Sequence, residues 1–193
     1  LEYFSQPFKD VFARLDLGYL EPMFGGLGGE ILYRPFDRPY AVGFSMHKVK
    51  QRGYRQLFAF KDYSTTTGHL GFYFDFPYQI HSRLMVGKYL AGDTGVTLDL
   101  SRRFKSGFQA GVFASKTNLS AEEFGEGSFD KGFYISIPTN LFYSDFRTGA
   151  ITFGLHPLTK DGAAALIQHN SLISIVGDQK KSSIIRDWDY LYD

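Results

Sequence analysis

Apolar and polar residues alternate with a period of two along most of this chain, the pattern of strands with one apolar and one polar face. Val11, Ala13, Leu15, Leu17 and Tyr19 fall on one side of a first run, with Phe12, Arg14, Asp16 and Gly18 on the other. A Gly-rich turn follows, then a weaker alternation from Leu27 to Phe36 and a proline-marked turn from Arg34 to Pro39. Val42, Phe44 and Met46 then oppose Gly43, Ser45 and His47, in a run from Tyr40 to Arg52. Leu70, Phe72, Phe74 and Phe76 oppose His69, Gly71, Tyr73 and Asp75, within a run from Tyr63 to Phe76. Ile80, Leu84 and Val86 oppose His81, Arg83 and Gly87 between Gln79 and Leu90. Beyond Ala91-Gly92-Asp93, a tight turn, Val96, Leu98 and Leu100 stand against Thr97, Asp99, Ser101 and Arg103. Lys105-Ser106-Gly107 turns the chain into Phe108, Ala110, Val112 and Ala114, opposite Gln109, Gly111, Phe113 and Ser115. Runs from Phe129 to Ile137 and from Gly149 to His156 complete about nine strands.

The strands run near the ~9–11 residues that a tilted strand needs to cross a bilayer, whereas soluble strands average ~5–6. Alternation alone fits a soluble sandwich as well as a barrel. Long strands, short turns, continuous aromatic-rich faces and opposite faces mixing Arg, Asp, His, Gln and Gly follow apolar-out, polar-in barrel logic. Longer connections, from Gln51 to Asp62 and from Thr117 to Ser128, suit a barrel with turns on one membrane side and loops on the other. One helical signal stands out: Asp161-Gly162 before Ala163-Ala164-Ala165-Leu166-Ile167-Gln168 predicts a short capped helix over 161–168. The division expected is a barrel region over 1–177 and a polar C-terminal tail over 178–193.

Composition narrows the classes. The chain has 193 residues, enough for one domain with a core. A net charge of +1 gives no basic stripe for nucleic acid. The absence of cysteine removes disulfides, thiolate metal sites and Cys nucleophiles. Aromatics make up 18% of the chain, with 21 glycines, a strand-and-turn composition. The chain opens Leu1-Glu2-Tyr3-Phe4 with no Met and no signal-like run, as expected of a mature or excised segment. No apolar stretch approaches the ~18 residues of a spanning helix, which leaves a strand-built span open.

Candidate chemistry concentrates in the acidic, Gly-punctuated stretch from Leu119 to Pro138. It carries Glu122, Glu123, Glu126 and Asp130 with Gly125, Gly127 and Gly132. Two such carboxylates about 5–10 Å apart could serve glycoside hydrolysis. The same carboxylates could hold calcium, although the EF-hand spacing is missing. The simpler reading is a shaped loop whose carboxylates pair with Arg and Lys, and no catalytic residue is assigned. His47, His69, His81, His156 and His169 show no HExxH pattern, and no metal or cofactor is expected. Gly25-Gly26-Leu27-Gly28-Gly29 fails the dinucleotide fingerprint and reads as a turn with close backbone packing. Ser128 lacks the nucleophile elbow, because Asp130 stands where its last Gly belongs.

The stretch SAEEFGEGSFDKGFYISIP also resembles the signature of the YjbH family, and is similar to capsule-assembly proteins of group 4 capsule operons. Matching stretches lie in order along the chain: Gly18 to Gly26, Glu30 to Pro35, Thr67-Gly68-His69, Gly87 to Asp93, Thr97 to Phe104 and Pro157 to Gly162. The resemblance implies a bacterial outer-membrane β-barrel, or one sector of a larger barrel, that helps exopolysaccharide or capsule polymer cross the membrane. It implies as partners the polymer, outer-membrane lipid, a periplasmic polysaccharide-export protein and the remainder of a longer chain. With the apolar faces toward lipid, Arg14, Asp16, His81, Arg83, Tyr89, Asp99, Arg103 and Gln109 would line the lumen and meet the polymer. Candidate constrictions are Glu122, Glu123, Glu126 and Asp130 in the acidic loop, with Lys160 and Asp161 at the expected helix. A soluble carbohydrate-binding or hydrolase-like sandwich is the alternative.

Overall fold

The computed structural model describes residues 1–120, 122, 129–142, 149–157 and 162–188. Ten strands form one antiparallel sheet in strict chain order: β1 (Glu2–Phe8), β2 (Val11–Tyr19), β3 (Phe24–Tyr33), β4 (Tyr40–Arg52), β5 (Phe60–Phe76), β6 (Ile80–Lys88), β7 (Thr94–Arg103), β8 (Gln109–Thr117), β9 (Asp130–Pro138) and β10 (Ala150–Leu155). Among the described residues each strand pairs only with its sequence neighbours, so β1 and β10 are the edges of the described sheet. The expectation of an all-β antiparallel fold holds: the described strands make one open sheet, which does not close into a barrel by itself. A second sheet packed on the first, as in a sandwich, does not occur among the described residues.

Register carries the alternation across the sheet. Ile31, Phe44, Leu70, Val86 and Val96 stand side by side on five successive strands, and each is exposed. The same holds for Leu100, Val112, Phe133 and Leu155 farther along. The opposite face carries Arg14, Glu30, His47, Thr67, Thr97 and Ser115, all buried. This inverts a soluble sheet, whose apolar face turns to the core.

A C-terminal segment covers the polar face. It holds two short helices, α1 (Leu172–Val176) and α2 (Lys181–Asp187). Leu172 and Val176 of α1 pack on Leu32 and Ala41, with Phe12 and Tyr73 alongside. Leu166 joins Phe24, Val49 and Leu90 in a second small cluster at one end of the sheet. No helix among the described residues is long and apolar enough to cross a membrane.

Three expectations are corrected. The helix over 161–168 is absent across 162–168, where the chain is turn and irregular. Its backbone bonds go elsewhere: the Ala163 N–H donates to Asp93, the Leu90 N–H donates to the Ala164 carbonyl, and the Ile167 N–H donates to Glu21. Ala163 also adopts φ 60, outside the helical region. Gly25 to Gly29 lie inside β3, where no turn occurs. A Cβ at Gly26 would meet the Lys48 carbonyl at 2.1 Å and one at Gly28 the His47 ring at 2.2 Å, so these glycines serve close approach within the sheet. Finally, β1 precedes the first expected strand; its burial pattern is almost uniformly exposed, and Pro7 interrupts its alternation.

Candidate functional site

The polar face is an ion-paired surface, built because strands place every second side chain on it. Arg14 and Asp16 are successive residues on this face of β2, with guanidinium and carboxylate 3.0 Å apart. Glu30 lies across from Arg14 on β3, 3.7 Å away, and His47 Nε2 is 3.0 Å from Asp16. Arg14 donates to Gln168 Oε1 and to the Asn170 carbonyl, both at 2.6 Å, and Glu30 accepts the Leu172 N–H at 2.8 Å. The C-terminal segment is therefore hydrogen-bonded to this cluster. Arg14, Asp16 and His47, with Gln168 and Asn170, also line a cavity of about 420 Å³.

A second centre gathers on Asp75. Its carboxylate accepts from Arg34 at 2.9 Å and from the Lys180 ammonium at 2.6 Å, and its other oxygen lies against His81 Nδ1. Arg34 also donates to the Gly177 carbonyl at 2.9 Å. Burial lowers the Lys180 ammonium from its ordinary value, opposed by the Asp75 carboxylate. At the other end of the sheet, burial pushes the Glu21 carboxyl up, against the Ile167 N–H that it accepts and nearby His169.

Five of the expected lumen residues meet in one place. His81, Arg83, Asp99, Arg103 and Gln109 line a cleft of about 300 Å³ with Tyr73, Tyr134, Asp178 and Lys180. Arg83 sits 3.7 Å from Asp99, which also accepts from the Tyr134 hydroxyl at 3.1 Å. Arg103 reaches Asp178 of the C-terminal segment at 2.9 Å, and Gln109 donates to Ser101 at 3.0 Å. Arg14 and Asp16 belong to the other cavity. Tyr89 lies apart from both, fully buried beyond β6, its hydroxyl on Thr97 and its ring edge-on to His69.

The acidic stretch separates. Asp130 opens β9, opposite Ser115, with its Oδ1 buried and without a hydrogen-bond partner among the described residues, while Glu122 is exposed. Glu123, Glu126, Lys160 and Asp161 lie outside the described residues. Sequence reasoning passed over Glu30, Arg34, His47, Asp75, Tyr134 and Lys180. Asp75 and His47 were legible in principle, since Asp75 stands between Phe74 and Phe76 and His47 ends the alternation of Val42, Phe44 and Met46. Arg34 lies in a turn, and Lys180 becomes a partner only through a contact across 105 residues.

A family described as "Exopolysaccharide biosynthesis protein YbjH" matches residues 1–178. "Uncharacterized lipoprotein YjbH" of Escherichia coli (strain K12) is 42% identical over 182 residues, which cover 92% of this chain and 26% of that protein. The chain thus spans about a quarter of the length of the curated relative it matches. No solved structure matches it. The stretches noted in the sequence fall within the matched span, and with a match over nearly the whole chain and that level of identity, this chain belongs to the YjbH family of exopolysaccharide biosynthesis proteins.

Proposed function

We propose that this chain forms a sector of a bacterial outer-membrane β-barrel that guides exopolysaccharide across the membrane without chemical conversion. One observation carries the reading: a ten-stranded sheet exposes its apolar face and buries much of its charged one. In water such a face would aggregate; against acyl chains it is the stable arrangement. Aromatic side chains supply further support. Tyr19 and Phe60 meet at one end of the apolar band, Tyr33 and Tyr40 at the other, where Phe74 and Phe76 also pair. Aromatic girdles of this kind border the apolar band of outer-membrane barrels.

The polar face would then look into the lumen. Mixed guanidinium, carboxylate, amide and tyrosine groups offer a hydrated chain many weak contacts, as passage requires. The printed name of the relative, a lipoprotein, is compatible with an envelope location. The open edges at β1 and β10 are assigned to strands from the remainder of a longer chain, and delivery of polymer to a periplasmic partner protein.

Single nitroxide labels at 70 to 76, with the protein in lipid, test the reading. Labels at 70, 72, 74 and 76 should collide with oxygen and escape a nickel chelate, while 71, 73 and 75 should lose the oxygen signal. Chelate access at the even positions would refute the membrane sector.

A further inference from the structure

Besides the apolar packing of Leu166, Leu172 and Val176, the C-terminal segment meets the polar face mostly through neutral hydrogen-bonding groups. Arg14 takes an amide oxygen and a backbone carbonyl, Arg34 takes a carbonyl, and Glu30 takes a backbone N–H. At the sheet end, Asp93 and Glu21 likewise take the N–H groups of Ala163 and Ile167. Charged groups of the segment include Asp178 on Arg103 and Lys180 on Asp75.

The wall needs little charge from outside because it is balanced internally. Arg14 is paired with Asp16, Arg34 with Asp75, and Arg83 with Asp99. Capacity nevertheless remains. Nε of Arg14 and of Arg34, and Oδ1 of Asp16, are buried with no hydrogen-bond partner among the described residues, on side chains at most 5% exposed. Arg14 and Asp16 line the cavity at Gln168 and Asn170, and elsewhere on the same face a separate cleft lies at Tyr73 and Tyr134. Each tyrosine presents an apolar ring with a polar tip.

We infer that the polar face is a recognition track for a neutral, hydroxyl-rich glycan, and that residues 162–188 occupy it as a self-ligand that a glycan displaces. A hydroxyl both donates and accepts, so it can replace the segment's carbonyls on Arg14 and Arg34 and its N–H on Glu30. A polyanionic glycan has a weaker claim, since Arg14, Arg34 and Arg83 each already have a carboxylate of the sheet beside them and added anions would face Asp16, Glu30 and Asp99. The inference rests on the polar face being a lumen. It adds what the lumen recognises and what holds it shut.

The full-length protein in lipid, carrying one nitroxide at Ser174 and a second at Ser106, reads displacement as a change in the distance between them. The probes are maltoheptaose, a neutral glucan, and an oligogalacturonate of equal length. Maltoheptaose should shift the distance distribution and the galacturonate should not at equal concentration. Gln168→Ala, which removes one segment group from Arg14 and leaves the wall intact, should lower the maltoheptaose midpoint by roughly tenfold. A stronger response to the galacturonate overturns the neutral-glycan assignment. An unchanged distribution with both probes, whether or not they bind, overturns the self-ligand. Neither result touches the membrane reading, which the oxygen and chelate profile at 70 to 76 decides on the same preparation.

Discussion

At the scale of single residues, Asp75 is the junction at which the strand surface and the C-terminal segment depend on one another. Arg34 and Lys180 are both nearly buried, and each is compensated by this carboxylate. Asp75→Asn should therefore cost about 3–5 kcal/mol, because it leaves two cations facing each other with no anion between them. Adding Lys180→Met should recover much of that loss by removing one of the stranded charges. Unfolding midpoints of the single and double variants check this, and an unaltered midpoint for Asp75→Asn would count against the network. Asp75 was readable as a polar-face residue because it alternates with Phe74 and Phe76. Its importance was not readable, since that depends on Lys180, which no local pattern places near it. Tyr89 shows the opposite limit: its strand parity is right, yet it falls past the end of β6 and turns inward to Thr97.

Among elements, the strands from β2 to β10 were legible, and β1 and the segment that covers the sheet were not. Period-two alternation is a local property, and the register joining Ile31 to Val96 follows from short hairpins between successive strands. The Ala-rich stretch after Asp161 misled for a physical reason: local propensity yields when the sheet offers Asp93, Glu21 and the Leu90 N–H as better partners for its backbone. Conversely α1 hid in a short sequence, its only signal being Leu172 and Val176 one turn apart. The apolar face yields its own test. Leu70 sits in the middle of the band and Phe76 at its end, beside the Pro77 turn. An arginine in place of Leu70 should cost about 2–4 kcal/mol of folding into bilayers, and one in place of Phe76 about 0–1 kcal/mol. Reversible urea unfolding in lipid vesicles measures both. Equal costs at the two depths would mean that the face does not meet a membrane.

For the whole molecule the decisive feature is the pair of open edges. Among the described residues β1 bonds only to β2, and β10 only to β9. In hydrocarbon every unpaired backbone N–H and C=O costs several kcal/mol, so a lipid-facing sheet cannot leave a strand edge bare. The matched relative is about four times the length of this chain, ample for the further strands that closure would take. Closure by strands and an open edge in water make different demands on the same amides. In the full-length protein in lipid, amide hydrogens on the outer edges of Glu2–Phe8 and Ala150–Leu155 should exchange as slowly as those in the interior strand Phe60–Phe76. Hydrogen exchange read by mass spectrometry on peptides from these three strands makes the comparison. Fast exchange confined to β1 and β10 would show that they remain edges, and the apolar face would then need a different cover from a bilayer. Slow exchange at both edges fits only if each has gained a neighbouring strand, because side-chain packing alone does not bond a row of backbone amides.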